Sequence, residues 1–178
     1  LQNIIDSYRH KNANGVNLLL LQKQEAAGIM TMVYQYKLTV SPDMVDVNGH
    51  VNNIAYLQWM QTAAVLHSET QGCTKATVAL GATWVVRSHY IEYLRPAFAG
   101  EEVVVLTWVS NFRRVKSLRK YRIIRVADNA VLVEGETDWV FVETKTGRLR
   151  SIPANVISAF ELLPKEKEQD VLRNLVYC

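Results

Sequence analysis

Residues 46 to 59 read Asp46-Val47-Asn48-Gly49-His50-Val51-Asn52-Asn53-Ile54-Ala55-Tyr56-Leu57-Gln58-Trp59. This order sets a carboxylate, a glycine and an asparagine-rich turn directly ahead of a helical pattern. The first amides of a helix have no carbonyl inside the helix to bond, and the aligned peptide dipoles favour negative charge in front of them. Such an end can hold an oxyanion. A carboxylate a few residues upstream can act as general base towards water, or as nucleophile, on a carbonyl held by those amides. A local reading is equally available, in which Asp46, Asn48 and Asn52 only form turns and cap the helix. The residue types alone leave both open.

The second group with chemical potential is basic. Arg113, Arg114, Lys116, Arg119, Lys120, Arg122 and Arg125 fall in a stretch without an acid. Such a cluster is usually a solvated strand face, although Arg and Lys also suit phosphate by charge and geometry. Nucleic acid is not expected as a partner, because only Phe112 and Tyr121 interleave with the charges and the formal net charge is just +3. No GxSxG elbow, P-loop, GxGxxG, HExxH or EF-hand loop occurs. Cys73 and Cys178 lie too far apart in sequence for a disulfide framework and have no CxxC or histidine pair for zinc, so no metal and no cofactor are expected. Cys73 reads as core and Cys178 as an incidental thiol. Tyr56, Trp59, Met60, Trp84 and Trp139 could line an acyl channel but fit a core equally, and none is assigned to binding.

The elements that must position these groups follow from periodicity. The chain has 178 residues, 49% of them hydrophobic and 21% charged, which suits one ordinary globular domain. Val33 to Val40 is rich in β-branched and aromatic residues and predicts a strand. Ser41 to Asn53 is turn-like, and Ile54 to Ser68 contains no Gly, Pro, Asp, Glu, Lys or Arg while repeating apolar residues at helical spacing. A helix without charge anywhere on its circumference is normally surrounded by protein. Gly72 is placed to end it. After Gly81 four strands are expected, Thr83–Tyr93, Glu101–Asn111, Ser117–Ala127 and Val131–Thr144, then a short helix opened by Pro153 and a charged tail from Pro164. The expected fold class is α+β, a curved antiparallel sheet wrapped around one long helix. Residues 1–31 read as an N-terminal extension without assigned role, 32–163 as the domain and 164–178 as the tail. Leu18 to Leu21 is too short for a signal or a membrane span, so a cytoplasmic, reducing setting and no membrane partner are expected.

The string D-x-x-G-x-V-x-x-x-x-Y-L, carried by Asp46, Gly49, Val51, Tyr56 and Leu57, resembles the active-site signature of the 4-hydroxybenzoyl-CoA thioesterase branch of hot-dog-fold acyl thioesterases. The fuller run through Asn48, His50, Asn52 and Asn53 is similar to bacterial acyl-CoA thioesterases and to the catalytic region of plant acyl-ACP thioesterases. The likeness continues in Glu92-Tyr93-x-Arg95-Pro96-Ala97-x-x-Gly100 and Gly147-Arg148-x-Arg150-x-Ile152-Pro153, covering roughly residues 32–160.

The resemblance implies roles residue by residue. Asp46 matches the catalytic carboxylate, Asn53 the residue whose main-chain N–H holds the thioester oxygen, and Gly49 a glycine close to substrate. Asn48 and His50 match positions assigned to catalysis in the plant enzymes. Asp43, six residues before Gly49 rather than three, is read as structural. Arg113, Arg114 and Lys116 resemble the segment that grips the CoA phosphates, with one residue inserted. Many relatives carry a glutamate shortly after the helix tryptophan, where this chain has Gln61 and Thr62, which leaves Asp46 as the carboxylate near the helix start. The acidic residue used further downstream in the plant enzymes has no match. The implied activity is hydrolysis of acyl-CoA or acyl-ACP, by a homodimer or homotetramer with the site at a shared boundary. Two alternatives stand beside it: a hot-dog protein that binds acyl-CoA without turnover, and a hydroxyacyl dehydratase with His50 as base.

Overall fold

The computed structural model describes residues 32–173 and 175. The extension read for residues 1–31 and the incidental thiol Cys178 lie outside the described residues. The elements run β1 (Tyr34–Thr39), a single 3-10 turn (Pro42–Met44), α1 (Asn53–Thr70), α2 (Cys73–Ala79), β2 (Ala82–Tyr93), β3 (Glu102–Arg113), β4 (Lys116–Arg125), β5 (Val131–Glu143), α3 (Ala154–Ile157) and α4 (Lys165–Arg173). The strands form one antiparallel sheet in the order β1-β3-β4-β5-β2, the hot-dog arrangement with α1 on its inner face.

The uncharged run forms α1, as its spacing requires. Ala55, Tyr56, Trp59, Met60, Ala63, Ala64 and His67 make one buried stripe, which packs on Val103, Val105, Tyr121, Ile123, Leu132 and Val133 of the sheet. The approach is tight at Gly135 of β5, where an added Cβ would lie 2.8 Å from Met60 Cε and 3.3 Å from the Tyr90 carbonyl oxygen. The opposite face, with Ile54, Gln58, Gln61, Thr62 and Val65, is exposed in the single chain. Protein therefore surrounds α1 on one side only here, in contrast to the enclosure its composition suggests.

Two further elements differ from the sequence reading. Gly72, at φ +73°, ends α1 as its place suggests but is followed at once by α2, a helix the reading did not include, in which the inward pair Cys73 and Thr77 stands one helical turn apart. The charged tail contains α4, an amphipathic helix. Its Leu172, with Leu163 and Leu175, covers Val104, Leu106 and Trp108 on the outer face of β3. This explains why Val103 to Val109 is buried without alternation: both faces of β3 are covered. Glu168 keys α4 in place by accepting from Trp108 Nε1 at 3.2 Å, Ser110 Oγ at 3.4 Å and Lys120 Nζ at 2.9 Å.

The basic stretch does not form one solvated face. Along β4, burial alternates, so that Ser117, Arg119, Tyr121 and Ile123 point to the helix side while Lys116, Lys120 and Arg122 point out. Arg119 Nη1 donates to His67 Nδ1 at 2.9 Å and to Thr107 Oγ1 at 3.2 Å, and Nη2 donates to Ser68 Oγ at 3.4 Å. His67 is 1% exposed, stacks on Tyr34 and meets Phe160 edge-on. Burial, reinforced by the adjacent Arg119 charge, holds its pKa down from 6.5 to about 3. The imidazole is therefore neutral, with its proton on Nε2.

Between pH 6.5 and about 3 the unfolded chain binds a proton at this histidine that the folded chain does not. Stability from this group is thus complete above pH 6.5 and falls as the solution is acidified, by about 1.4 kcal/mol per pH unit. In urea unfolding at about pH 7 and about pH 5, the wild type should lose about 2 kcal/mol more than His67→Gln does. Equal losses in the two proteins would show that the folded histidine takes up a proton normally.

Candidate functional site

The motif folds as a small hairpin that leads into α1. Val45 and Val51 form an isolated antiparallel bridge, Asp46 N–H donates to the His50 carbonyl at 2.8 Å, and Gly49 N–H donates to the Asp46 carbonyl at 3.0 Å. Gly49 takes φ +82°, which only glycine adopts without strain, and nothing lies within 4 Å of where its Cβ would be. The glycine serves the turn and leaves open space above it.

The Asp46 carboxylate is half-buried and held by Asn48. Asn48 N–H donates to Oδ1 at 2.8 Å and its side-chain amide to Oδ2 at 3.4 Å. A carboxylate has about four lone-pair sites, so acceptor capacity remains for a water. Asn48 is thus the group that touches Asp46. The His50 ring packs edge-on against Phe98, with centroids 6.0 Å apart, and its link to Asp46 is through the main chain. Asp43 sits exposed in the 3-10 turn.

At the helix start the orphan amides are partly used. Asn52 is the N-cap, its side chain accepting from Ile54 N–H at 2.9 Å and its carbonyl from Ala55 N–H at 2.9 Å. The Asn53 N–H has no acceptor among the described residues. Asp46 lies opposite His50 at the turn end of the hairpin and Asn53 follows its base. Three strand-like residues from His50 separate them, about 10 Å of backbone. Among the described residues no hydrogen bond joins the carboxylate to the helix end.

The Arg95-Pro96-Ala97 segment braces this region. Val51 N–H donates to the Ala97 carbonyl at 2.9 Å, Ala97 N–H donates to Tyr56 Oη at 3.0 Å, and Tyr93 Oη donates to the Asn53 carbonyl at 3.2 Å. Ala97 is therefore clamped on both sides by the motif, and Tyr56 is a positioning residue. The sequence showed both segments, while their meeting depends on contacts some forty residues apart and carried no local signal.

Of the basic candidates, Arg113 and Lys116 share a polar hollow of about 290 Å³ with His89, Asn111, Glu136 and Asp138. Lys116 Nζ is 3.7 Å from Asp138, while Arg114 is exposed at the β3–β4 turn and outside that hollow. Further along β4 the outward charges are paired: Lys120 with Glu136 and Glu168, Arg122 with Glu134 at 2.6 Å, and Arg125 with Glu101 at 2.8 Å.

A separate cavity of about 220 Å³ lies beside the later turns of α1, walled by α2 and the sheet. Trp84 and Trp139, two of the residues that could line an acyl channel, border it, as do Cys73 and Arg119. Tyr56, Trp59 and Met60 belong to the packed core instead. Burial pushes the Cys73 thiol pKa up, which suits a packing role rather than a nucleophile. Among the described residues no group of three His, Cys, Asp or Glu is arranged to hold a metal ion, and no helix is long and apolar enough to cross a membrane.

No curated protein matches the sequence. Among solved structures, the chain is similar to a 1,4-dihydroxy-2-naphthoyl-CoA thioesterase from Synechocystis, with 16% identity and a TM-score of 0.65 over 71% of this chain and 94% of that one. It is similar to a 12:0-ACP thioesterase from Umbellularia californica, with 21% identity and a TM-score of 0.68 over 76% of this chain and 54% of that one. A probable thioesterase from Escherichia coli shares 20% identity and a TM-score of 0.64 over 72% of this chain and 95% of that one. These likenesses are of fold. The family model of the thioesterase-like superfamily matches residues 40–160, which span the hairpin, α1 and all four later strands, and the chain belongs to that superfamily.

Proposed function

We propose that this thioester hydrolase cleaves acyl thioesters of CoA or acyl carrier protein, with Asp46 as the catalytic carboxylate and the Asn53 amide as the oxyanion donor. The observation that carries the reading is the pair itself: a half-buried carboxylate held by Asn48 at one end of a rigid hairpin, and an N–H without acceptor at the first residue of α1. In the general-base form, Asp46 takes a proton from water as its oxygen bonds to the carbonyl carbon. The carbonyl electron pair moves onto oxygen beside Asn53 N–H. Collapse breaks the C–S bond, the proton passes to the thiolate, and a free acid and a thiol leave. In the nucleophilic form the carboxylate attacks the carbonyl carbon directly, and the C–S bond breaks as the mixed anhydride forms and the thiolate leaves. Water then hydrolyses the anhydride, returning the Asp46 carboxylate and the free acid, and its remaining proton goes to the thiolate. Asn48 positions the carboxylate, Gly49 keeps the approach clear, and His50 lies beside the turn. Arg113 and Lys116, with Arg114 nearby, are the groups suited to the CoA phosphates.

Asp46→Asn should lower kcat by about a hundredfold or more, since general-base contributions are typically ~10²–10⁴. Asn48→Ala, which keeps the main-chain bond to Oδ1, should cost much less. Thiol release from a panel of acyl-CoAs and acyl-ACPs measures both. Undiminished turnover in Asp46→Asn rejects the mechanism, and no release by the wild type from any thioester favours an acyl-CoA binder. Water addition to an enoyl thioester that depends on His50 would instead favour the dehydratase.

An exposed apolar surface supports assembly of two copies. The outward face of α1 is uncharged from Asn53 to Ser68 and exposes Ile54 and Val65, and Val85, Tyr90 and Tyr93 are exposed on β2. Strand β2 is an edge of the sheet, without a partner on its outer side among the described residues. Unpaired strand edges and clusters of exposed apolar side chains are normally covered. The wild type should sediment as a dimer or a higher even oligomer, and the double variant Val85→Lys and Tyr90→Lys should shift it to a monomer with reduced kcat. A monomeric wild type with full activity would contradict a site at a shared boundary.

A further inference from the structure

The cavity beside the later turns of α1 contains a charge that the reaction described above does not use. Arg119 lines it and is 3% exposed, and its guanidinium lies 5.3 Å from the centre of the Phe160 ring. Its hydrogen-bond partners are all neutral: His67, Thr107 and Ser68. Among the described residues it has no carboxylate partner, whereas the outward cations Lys116, Lys120, Arg122 and Arg125 each have at least one. The histidine cannot supply negative charge, since it accepts through Nδ1 as a neutral ring. Three bonds leave two of the five guanidinium N–H donors without a protein acceptor. A buried cation is costly unless an anion meets it. The rest of the lining is mainly apolar, with Trp84, Phe112, Trp139, Phe160, Ala64 and Val109, and is interrupted by the hydroxyl side chains of Ser68, Thr74, Thr77, Thr83 and Ser117. At about 220 Å³ the space exceeds the ~150 Å³ apolar cavity that takes up benzene.

We infer that this cavity binds a carboxylate carried on an apolar body of roughly six to eight carbons, the carboxylate pairing with Arg119 and the body filling the aromatic walls. Two sources share that chemistry. One is the far end of a dicarboxylic acyl chain whose thioester lies at Asn53, a source that rests on the thioesterase reading. Ala64 is eleven residues along α1 from Asn53, about 17 Å, so such a chain must be long. The other is a free carboxylic acid.

The test has two arms, each using the full chain. In the first, octanoate and 1-octanol are titrated against wild type, Arg119→Met and Arg119→Lys by calorimetry. Octanoate should bind the wild type at least tenfold more tightly than octanol, Arg119→Met should abolish the difference, and Arg119→Lys should retain part of it. In the second, kcat/KM is compared for hexadecanedioyl-CoA against hexadecanoyl-CoA, and for suberoyl-CoA against octanoyl-CoA. A tenfold preference for the long diacid thioester that disappears in Arg119→Met assigns the cavity to the substrate. Equal turnover with Arg119-dependent octanoate binding assigns it to a free acid. The wild-type comparisons need no variant to fold. If the wild type hydrolyses no thioester, the thioesterase reading fails while the octanoate arm still decides the cavity. The inference is overturned if neither arm shows a preference for the carboxylate form that depends on Arg119.

Discussion

The seating of α1 in the sheet is the constraint from which the other features descend. Its inward stripe has aromatic, aliphatic and small residues and no charge that must reach water, so the helix can be enclosed along that whole side. Gly135 lets Met60 come close to β5, and the small Ala55, Ala63 and Ala64 bring the backbone near the strands. With the axis set in this way, one end of the helix is presented at the hairpin and the other is pressed among Tyr34, Phe160 and Arg119. The two ends then differ in electrostatic character: the first leaves the Asn53 N–H without an acceptor among the described residues, and the last forces a histidine to remain neutral.

At the hairpin end, precision comes mainly from the backbone. Main-chain bonds from Asp46, Gly49, Val51 and Asn52 set the turn and its attachment, and Tyr56 and Tyr93 tie the helix start to the segment around Ala97. Capping uses only some of the orphan amides. Asn52 takes those of Ile54 and Ala55, and the Asn53 N–H has no acceptor among the described residues. The local reading, in which these residues shape a turn, and the chemical reading are therefore compatible, because the same hydrogen bonds that make the turn aim the carboxylate.

Charge on β4 is sorted by the pleat of the strand. The outward side chains meet carboxylates from β5, from α4 and from the loops flanking β3 and β4, and the inward Arg119 meets only neutral groups. A cluster that is continuous in sequence thus becomes two populations with different environments. Desolvation makes the inward one the more consequential, since a low-dielectric wall strengthens whatever interaction the guanidinium makes.

Much of this was legible in the residue order. The long uncharged helix, its asparagine cap, the five strands and the turn at Gly49 are written in patterns a few residues long, because propensity, pleat alternation and left-handed φ are local properties. The helix α2 was hidden behind Gly72, which ends α1 as it reads and at the same time caps a further short helix. The amphipathic α4 was masked by its high charge, and its apolar residues have meaning only against Leu106 and Trp108. The direction of Arg119, the clamp on Ala97, the sharing of one hollow by Arg113 and Lys116, and the cavity under α2 all depend on strand register and on pairs far apart in the chain. The sequence by itself determined which elements form and which residues could do chemistry. Only the tertiary structure decided which of those residues meet, because a contact between distant segments is a property of the packed fold and not of either segment alone.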